Sequence, residues 1–229
     1  MQQLKDLLSR KGFDIHVCFS SSVYNDYLKS KGLMEYALPK ESNCLLIGNT
    51  RKLWPVFIND SKGTKGLDAW TASVIESTTR KLFQQFSIYY VFDDFAIFNK
   101  SEISRGKKRI AFQTLGECVG LSISVKGTGL TVTPQHGPWF AYRAVIVFHD
   151  QTLKSHCLKQ SQALDKWINQ SFSTDQLKYL QEKTHIAQTF KEFIEIRKEI
   201  GILLNKQDQE YSYNQMMYHY TKSKDNLKI

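Results

Sequence analysis

The chain has 229 residues, 41% of them hydrophobic and 23% charged, with a formal net charge of +9. A chain this long folds as one domain, or one domain with an appendage, and buries about 70% of its unfolded surface without a disulfide or metal staple. Aromatic residues make up 13%, and no apolar run approaches the ~18 residues of a membrane span, so disorder, coiled coil and a transmembrane helix are excluded.

The basic balance is compatible with nucleic acid, anionic lipid or an anionic small molecule. Its densest run is Gly106-Lys107-Lys108-Arg109, and the rest is spread. A spread excess reads as solvated surface, so a nucleic-acid partner is not expected. The start, Met1-Gln2-Gln3-Leu4-Lys5, is charged and lacks an apolar core, so no signal peptide is expected. Cys18, Cys44, Cys118 and Cys157 lie far apart with no C-x-x-C spacing. Reduced thiols, a cytoplasmic location and no metal site follow as expectations.

Residues 1–11 form an amphipathic helix carrying Leu4, Leu7 and Leu8 on one face, stopped by Gly12. Residues 13–19 alternate as a strand with His16 facing solvent, and 20–28 form a capped helix. Residues 43–48 read as a buried strand, and 50–58 as a helix disturbed by Pro55. A long helix is expected over 67–86, a strand over 87–95 and a helix over 109–119. Residues 121–125 and 130–133 form a hairpin punctuated by Gly127 and Gly129. Residues 139–149 make the clearest strand, and 150–160 are polar and linker-like. Helices follow over 162–168, 174–182 and 186–204, and again from Tyr211. Strands cluster before residue 150 and helices after it, which predicts an α+β fold with a core over 1–150 and a helical extension over 151–229.

Several motifs fail. Gly127-Thr128-Gly129-Leu130-Thr131-Val132 lacks the third glycine and the following helix of a dinucleotide fingerprint. The six histidines show no paired zinc spacing. Asp14-Ile15-His16 begins a cobalt-ligating D-x-H-x-x-G, but Phe19 stands at the glycine.

Arg143 resists a bland reading. Strict alternation in the 139–148 strand places Trp139, Ala141, Arg143, Val145 and Val147 on one face, with Phe140, Tyr142, Ala144, Ile146 and Phe148 on the other. Both faces are apolar, so Arg143 is a guanidinium in a core strand. An unpaired charge there costs several kcal/mol, so an anion must meet it. That anion is either an internal carboxylate, Asp93 or Asp94, or the carboxylate or phosphate of a ligand, which the planar fork suits.

The stretch from Gly120 through Lys126-Gly127-Thr128-Gly129-Leu130 to Pro134-Gln135-His136-Gly137-Pro138-Trp139-Phe140 resembles the cobalamin domain of epoxyqueuosine reductase. From Pro134 to Ala144 it also resembles the "H-P-x-F-G-G-W-F-A-I-R-G" segment of the CblC family of cobalamin-processing proteins. Tyr24-Asn25, Leu38-Pro39, Ile110 to Thr114, and Tyr211 to Thr221 agree with CblC in the same order.

This resemblance implies a flavin-reductase or nitroreductase-like antiparallel sheet with flanking helices. It implies binding of cobalamin with its lower base detached and removal of the upper ligand. Cyanide would be removed reductively, with FMN or FAD as reductant, and alkyl groups by transfer to glutathione. The resemblance gives Arg143 the role of contacting glutathione. It implies cobalamin contacts at Asp94, Ile110, Ala111, Phe112, Gln113, Thr131, Tyr142 and Tyr211, with Lys126 and Thr128 from the epoxyqueuosine reductase match. Partners implied are a cobalamin-trafficking or methionine-synthase-pathway protein, and no membrane. CblC has a Tyr-Tyr-Tyr-Gln insertion that this chain lacks, and its further glutathione-contacting arginines have no clear match here. A non-catalytic cobalamin carrier and a flavin oxidoreductase of the same fold are the competing expectations. An epoxyqueuosine-reductase-like tRNA enzyme is disfavoured, because only Cys157 lies in the C-terminal region.

Overall fold

The computed structural model describes residues 1–61, 66–91, 110–149 and 162–227. The expected linker, Cys157, Asp93 and Asp94 lie outside the described residues.

The chain opens with helix α1 (Gln2–Arg10), strand β1 (Ile15–Ser20) and helix α2 (Ser21–Lys31). The Ser20 hydroxyl accepts from the Ser22 amide and so starts α2, and Gly32 ends it in the left-handed region. Strand β2 (Asn43–Asn49) and helix α3 (Leu53–Ser61) follow. Pro55 falls in the first turn of α3, where an amide has no intrahelical partner, so it does not disturb the helix as expected.

Helix α4 (Leu67–Arg80) ends earlier than the expected 67–86. The Thr79 hydroxyl bonds back to the Ile75 carbonyl, and Phe83 turns to pack 4.7 Å from Phe148, so tertiary contact ends the helix. Strand β3 (Phe86–Tyr90), helix α5 (Phe112–Cys118), and the short hairpin strands β4 (Ile123–Ser124) and β5 (Thr131–Val132) come next. Strand β6 (Ala141–Phe148) completes the main sheet. Four C-terminal helices are described: α6 (Gln162–Ser171), α7 (Thr174–Ile186), α8 (Phe190–Leu203) and α9 (Tyr213–Thr221). The periodicity from 186 to 204 is broken because Thr189 and Glu192 form a capping box that starts α8.

The sheet order is β1-β2-β6-β3, with every pairing antiparallel. Helices cover both faces, which is why β2 and β6 are apolar on both sides. On one face Phe19, Leu46, Val145 and Val147 pack against α2 and α5 through Tyr24, Leu28, Phe112 and Leu115. On the other, Leu45, Ile47, Ile146 and Phe148 meet Leu4, Leu8, Phe57, Trp70 and Tyr218. Tyr218 of α9 also accepts a hydrogen bond from the Leu67 amide, 3.1 Å, and this ties the last helix to the core. The hairpin packs on α6, α7 and α8 through Val125, Val132, Leu180 and Ile196. The α+β class with an antiparallel sheet and flanking helices, expected from the sequence, is the one observed. Among the described residues no helix is long and apolar enough to cross a membrane, and no cluster of three metal-ligating side chains occurs.

His16 does not face solvent as expected. It lies half-buried, and burial, aided by Lys5, pulls its pKa down to about 4.

Candidate functional site

A cavity of about 790 Å³ is bounded by β6, the start of α5, and the C-terminal helices. Ile110, Ala111, Phe112, Gln113 and Thr114 form one wall, and Phe140 to Arg143 a second. Tyr36, Asp68 and Val91 complete that part, while Arg197, Tyr211, His219, Tyr220 and Lys222 form the far end. The first wall is set by Tyr24, whose hydroxyl accepts from the Ala111 amide at 3.1 Å.

A β-bulge shapes the second wall. Ile47 pairs with Ala144 and Gly48 with Tyr142, leaving Arg143 as the extra residue of β6. The bulge overturns the strict alternation expected from the sequence. Tyr142 falls on the same side as Val145 and Val147, not with Ala144 and Ile146. The Tyr142 hydroxyl bonds to Ser122 and Thr131, and burial pushes its pKa up to about 12, so it stays neutral.

Arg143 is 4% exposed. Its Nε donates to Asn49 Oδ1 at 2.5 Å, and its Nη2 has no hydrogen-bond partner. Burial lowers its pKa, but a guanidinium stays charged. Among the described residues no carboxylate forms an ion pair with it. Asp68, which also lines the cavity, pairs instead with Lys222 at 3.5 Å.

The far end is cationic. Burial, then Arg143, Arg197 and Lys222, hold His219 well below the usual histidine pKa, and its Nε2 has no partner. The buried Tyr211 hydroxyl is likewise unpartnered, and burial raises its pKa. Its ring lies 5.5 Å from His219 and 5.7 Å from Trp139. Arg197 of α8 donates Nε and Nη2 to the Pro138 carbonyl, at 2.9 and 2.5 Å, and Nη2 to the Phe140 carbonyl at 3.1 Å.

Of the residues singled out from sequence, the fold brings Ile110, Ala111, Phe112, Gln113, Tyr142, Arg143 and Tyr211 onto this cavity. Lys126, Thr128 and Thr131 are not on its wall. The hairpin tip turns toward α7, where Gln181 Nε2 donates to the Lys126 carbonyl at 3.0 Å. The Thr128 hydroxyl is spent on the Val125 carbonyl at 2.8 Å, and the Thr131 side chain bonds to the Tyr142 hydroxyl. Asp94 lies outside the described residues. Sequence reading missed Asp68, Arg197, His219 and Lys222. A signal existed for Arg197: it occupies the same helical row as the buried Ile194 and Gly201, a charge on the core-facing stripe.

No family model matches the chain, and no curated protein matches it in sequence. A solved structure does match in shape. The C. elegans B12-trafficking protein CblC, a homologue of human MMACHC, superposes with a TM-score of 0.64 over 99% of this chain and 94% of that one. The two are 17% identical, so the likeness establishes the fold.

Proposed function

We propose that this chain binds cobalamin with its lower base detached and removes the upper axial ligand. The observation that carries the reading is the cavity of about 790 Å³, with an apolar wall at one side and a cationic recess at the other, in a fold shared with a B12-trafficking protein. A corrin is a large disc with an apolar face and an amide rim. It suits a wide pocket offering apolar side chains, backbone groups and a few hydroxyls. Ile110, Phe112, Phe140 and the ring of Tyr142 supply the apolar wall, Ala111 to Thr114 the backbone groups, and Tyr211 an unpartnered hydroxyl.

The cobalt chemistry belongs to cobalamin itself; the protein supplies binding, orientation and electrostatics. Arg143 meets a carboxylate of glutathione. In dealkylation the glutathione sulfur forms a bond to the alkyl carbon, the carbon–cobalt bond breaks with its electron pair left on the metal, and the thiol proton passes to solvent. Positive charge from Arg143, Arg197 and Lys222 favours the thiolate needed for that attack. Decyanation requires an electron donor, for which reduced FMN or FAD is the reading. Handover to a methionine-synthase-pathway protein belongs to the same proposal.

A non-catalytic carrier is the second reading. It is favoured by the commitment of Arg197 to three carbonyl hydrogen bonds and of Lys222 to Asp68, which leaves Arg143 for an anion.

A visible-absorption titration into cyanocobalamin and methylcobalamin tests the proposal. A saturable shift to the base-detached spectrum is expected, followed by loss of the upper ligand when glutathione or reduced flavin is added. A bound spectrum that neither reagent changes would establish the carrier, and no shift would remove both readings.

A further inference from the structure

We infer that Asn49 is a positioning residue that keeps the charge of Arg143 available to an anionic co-substrate, an inference that rests on the anion-binding reading of Arg143. A buried guanidinium can be satisfied in two ways. A carboxylate partner neutralises it and quenches its attraction for a ligand. A neutral acceptor satisfies one donor and fixes the plane, while the charge remains. This chain uses the second. Asn49 is fully buried and accepts from Arg143 Nε, while the Nη2 end of the fork is left without a partner beside the cavity.

The surroundings demand an amide at position 49. Its Nδ2 donates to the Thr50 carbonyl at 2.7 Å, which fixes Oδ1 as the atom that faces Arg143. A flipped amide would set donor against donor at Arg143. A carboxylate would set acceptor against the Thr50 carbonyl. Thr50 is itself held by Asp14, whose carboxylate accepts from the Thr50 amide at 2.8 Å and from its hydroxyl at 2.7 Å. The acid in this chain of contacts, Asp14, stands two residues back from the guanidinium and has Lys52 3.7 Å away, while Asp68, whose charge reaches Arg143 across the cavity, pairs with Lys222 at 3.5 Å. The bulge at Arg143 aims the side chain into this arrangement. Asp14 sets Thr50, Thr50 sets Asn49, and Asn49 sets Arg143.

The test is the variant Asn49→Asp, an almost isosteric change that brings a neutralising charge. The readout is thermal stabilisation by millimolar inorganic sulfate and by glutathione, against chloride at equal ionic strength. Wild type is expected to be stabilised. In Asn49→Asp the half-saturating anion concentration should rise about tenfold or more, because the new carboxylate occupies the charge. A residue with a merely structural role would leave that concentration unchanged, and an unchanged value in a folded variant overturns the inference. If Asn49→Asp does not fold, Asn49→Ser carries the test. It keeps the charge free but loosens its aim, so the half-saturating concentration should rise about threefold; no rise overturns the inference. A wild type that responds to neither anion overturns it as well, whatever the cobalamin titration shows. A wild type that responds to sulfate yet fails to bind cobalamin removes the proposed function and leaves the role of Asn49 standing.

Discussion

The guanidinium carbon of Arg197 lies 5.2 Å from the ring centre of Trp139. Trp139 is fully buried, and Gly201, one turn further along α8, leaves the space that its indole fills. Arg197 thus stacks on the indole and also holds the carbonyls on either side of it, at Pro138 and Phe140. The start of β6 is clamped to α8 by one side chain.

Arg197→Lys should therefore destabilise the fold although the charge is kept. An ammonium cannot reproduce the fork on two carbonyls or the planar stack, and the loss should be about 1–3 kcal/mol. A fall in the urea midpoint with an unchanged m-value would show it. An unchanged midpoint would mean that the clamp contributes nothing.

Arg143→Ala should separate binding from chemistry. The side chain reaches the cationic end of the cavity, while the apolar wall at Ile110, Phe112 and Phe140 is untouched. Glutathione-dependent loss of the methyl group should fall by about 100-fold or more, the equivalent of one lost charge-assisted contact, while the base-detached spectrum is still formed. Unchanged dealkylation would sink the assignment of Arg143.

Gly116 and Tyr142 form a testable pair. A methyl group on Gly116 would overlap the Tyr142 hydroxyl, and it would come within 2.5 Å of Ser122 Oγ. Gly116→Ala alone should cost about 1–3 kcal/mol by overpacking. Removing the hydroxyl with Tyr142→Phe opens that space, so in the double variant the cost of the alanine should shrink by roughly 1 kcal/mol. Strictly additive costs in a denaturant double-mutant cycle would contradict the contact.

The sequence made most elements legible because their signals are local. Ser20 before α2, Gly32 after it and the apolar run of β6 each announce an element within a few residues. Part of the cavity wall was readable for the same reason, since Ile110 to Gln113, Tyr142 and Arg143 sit in contiguous motifs. The rest depends on partners far away in the chain. The bulge at Arg143 exists only against Gly48 of β2, and no period-two reading of β6 alone contains it. The hairpin glycines signalled a turn, but its direction is set by Gln181 of α7 and Gln113 of α5, so Lys126 and Thr128 left the cavity. Arg197 and His219 arrive from helices whose packing the sequence pattern does not orient. The early stop of α4 likewise comes from Phe83 meeting Phe148 across the fold.

His16 makes the stability depend on pH with a defined sign. Its folded pKa is about 4 against an ordinary 6.5, because burial disfavours the imidazolium and Lys5 adds to that, with Asp14 and Asp6 opposing. Between those two values the unfolded chain binds the proton and the folded chain does not. Stability is therefore complete above 6.5 and is lost as the pH falls through that window toward 4. His219 acts in the same direction, since burial, Arg143, Arg197 and Lys222 all disfavour its charged form. For His16 the loss between about pH 7 and about pH 5 should be on the order of 1 kcal/mol, below the full linkage value because the ring keeps partial contact with solvent. His16→Gln removes the titration and keeps a polar side chain, so the fall in urea midpoint over that interval should be smaller than in wild type. Equal falls in the two proteins would show that His16 is as free to protonate in the folded chain as in the unfolded one.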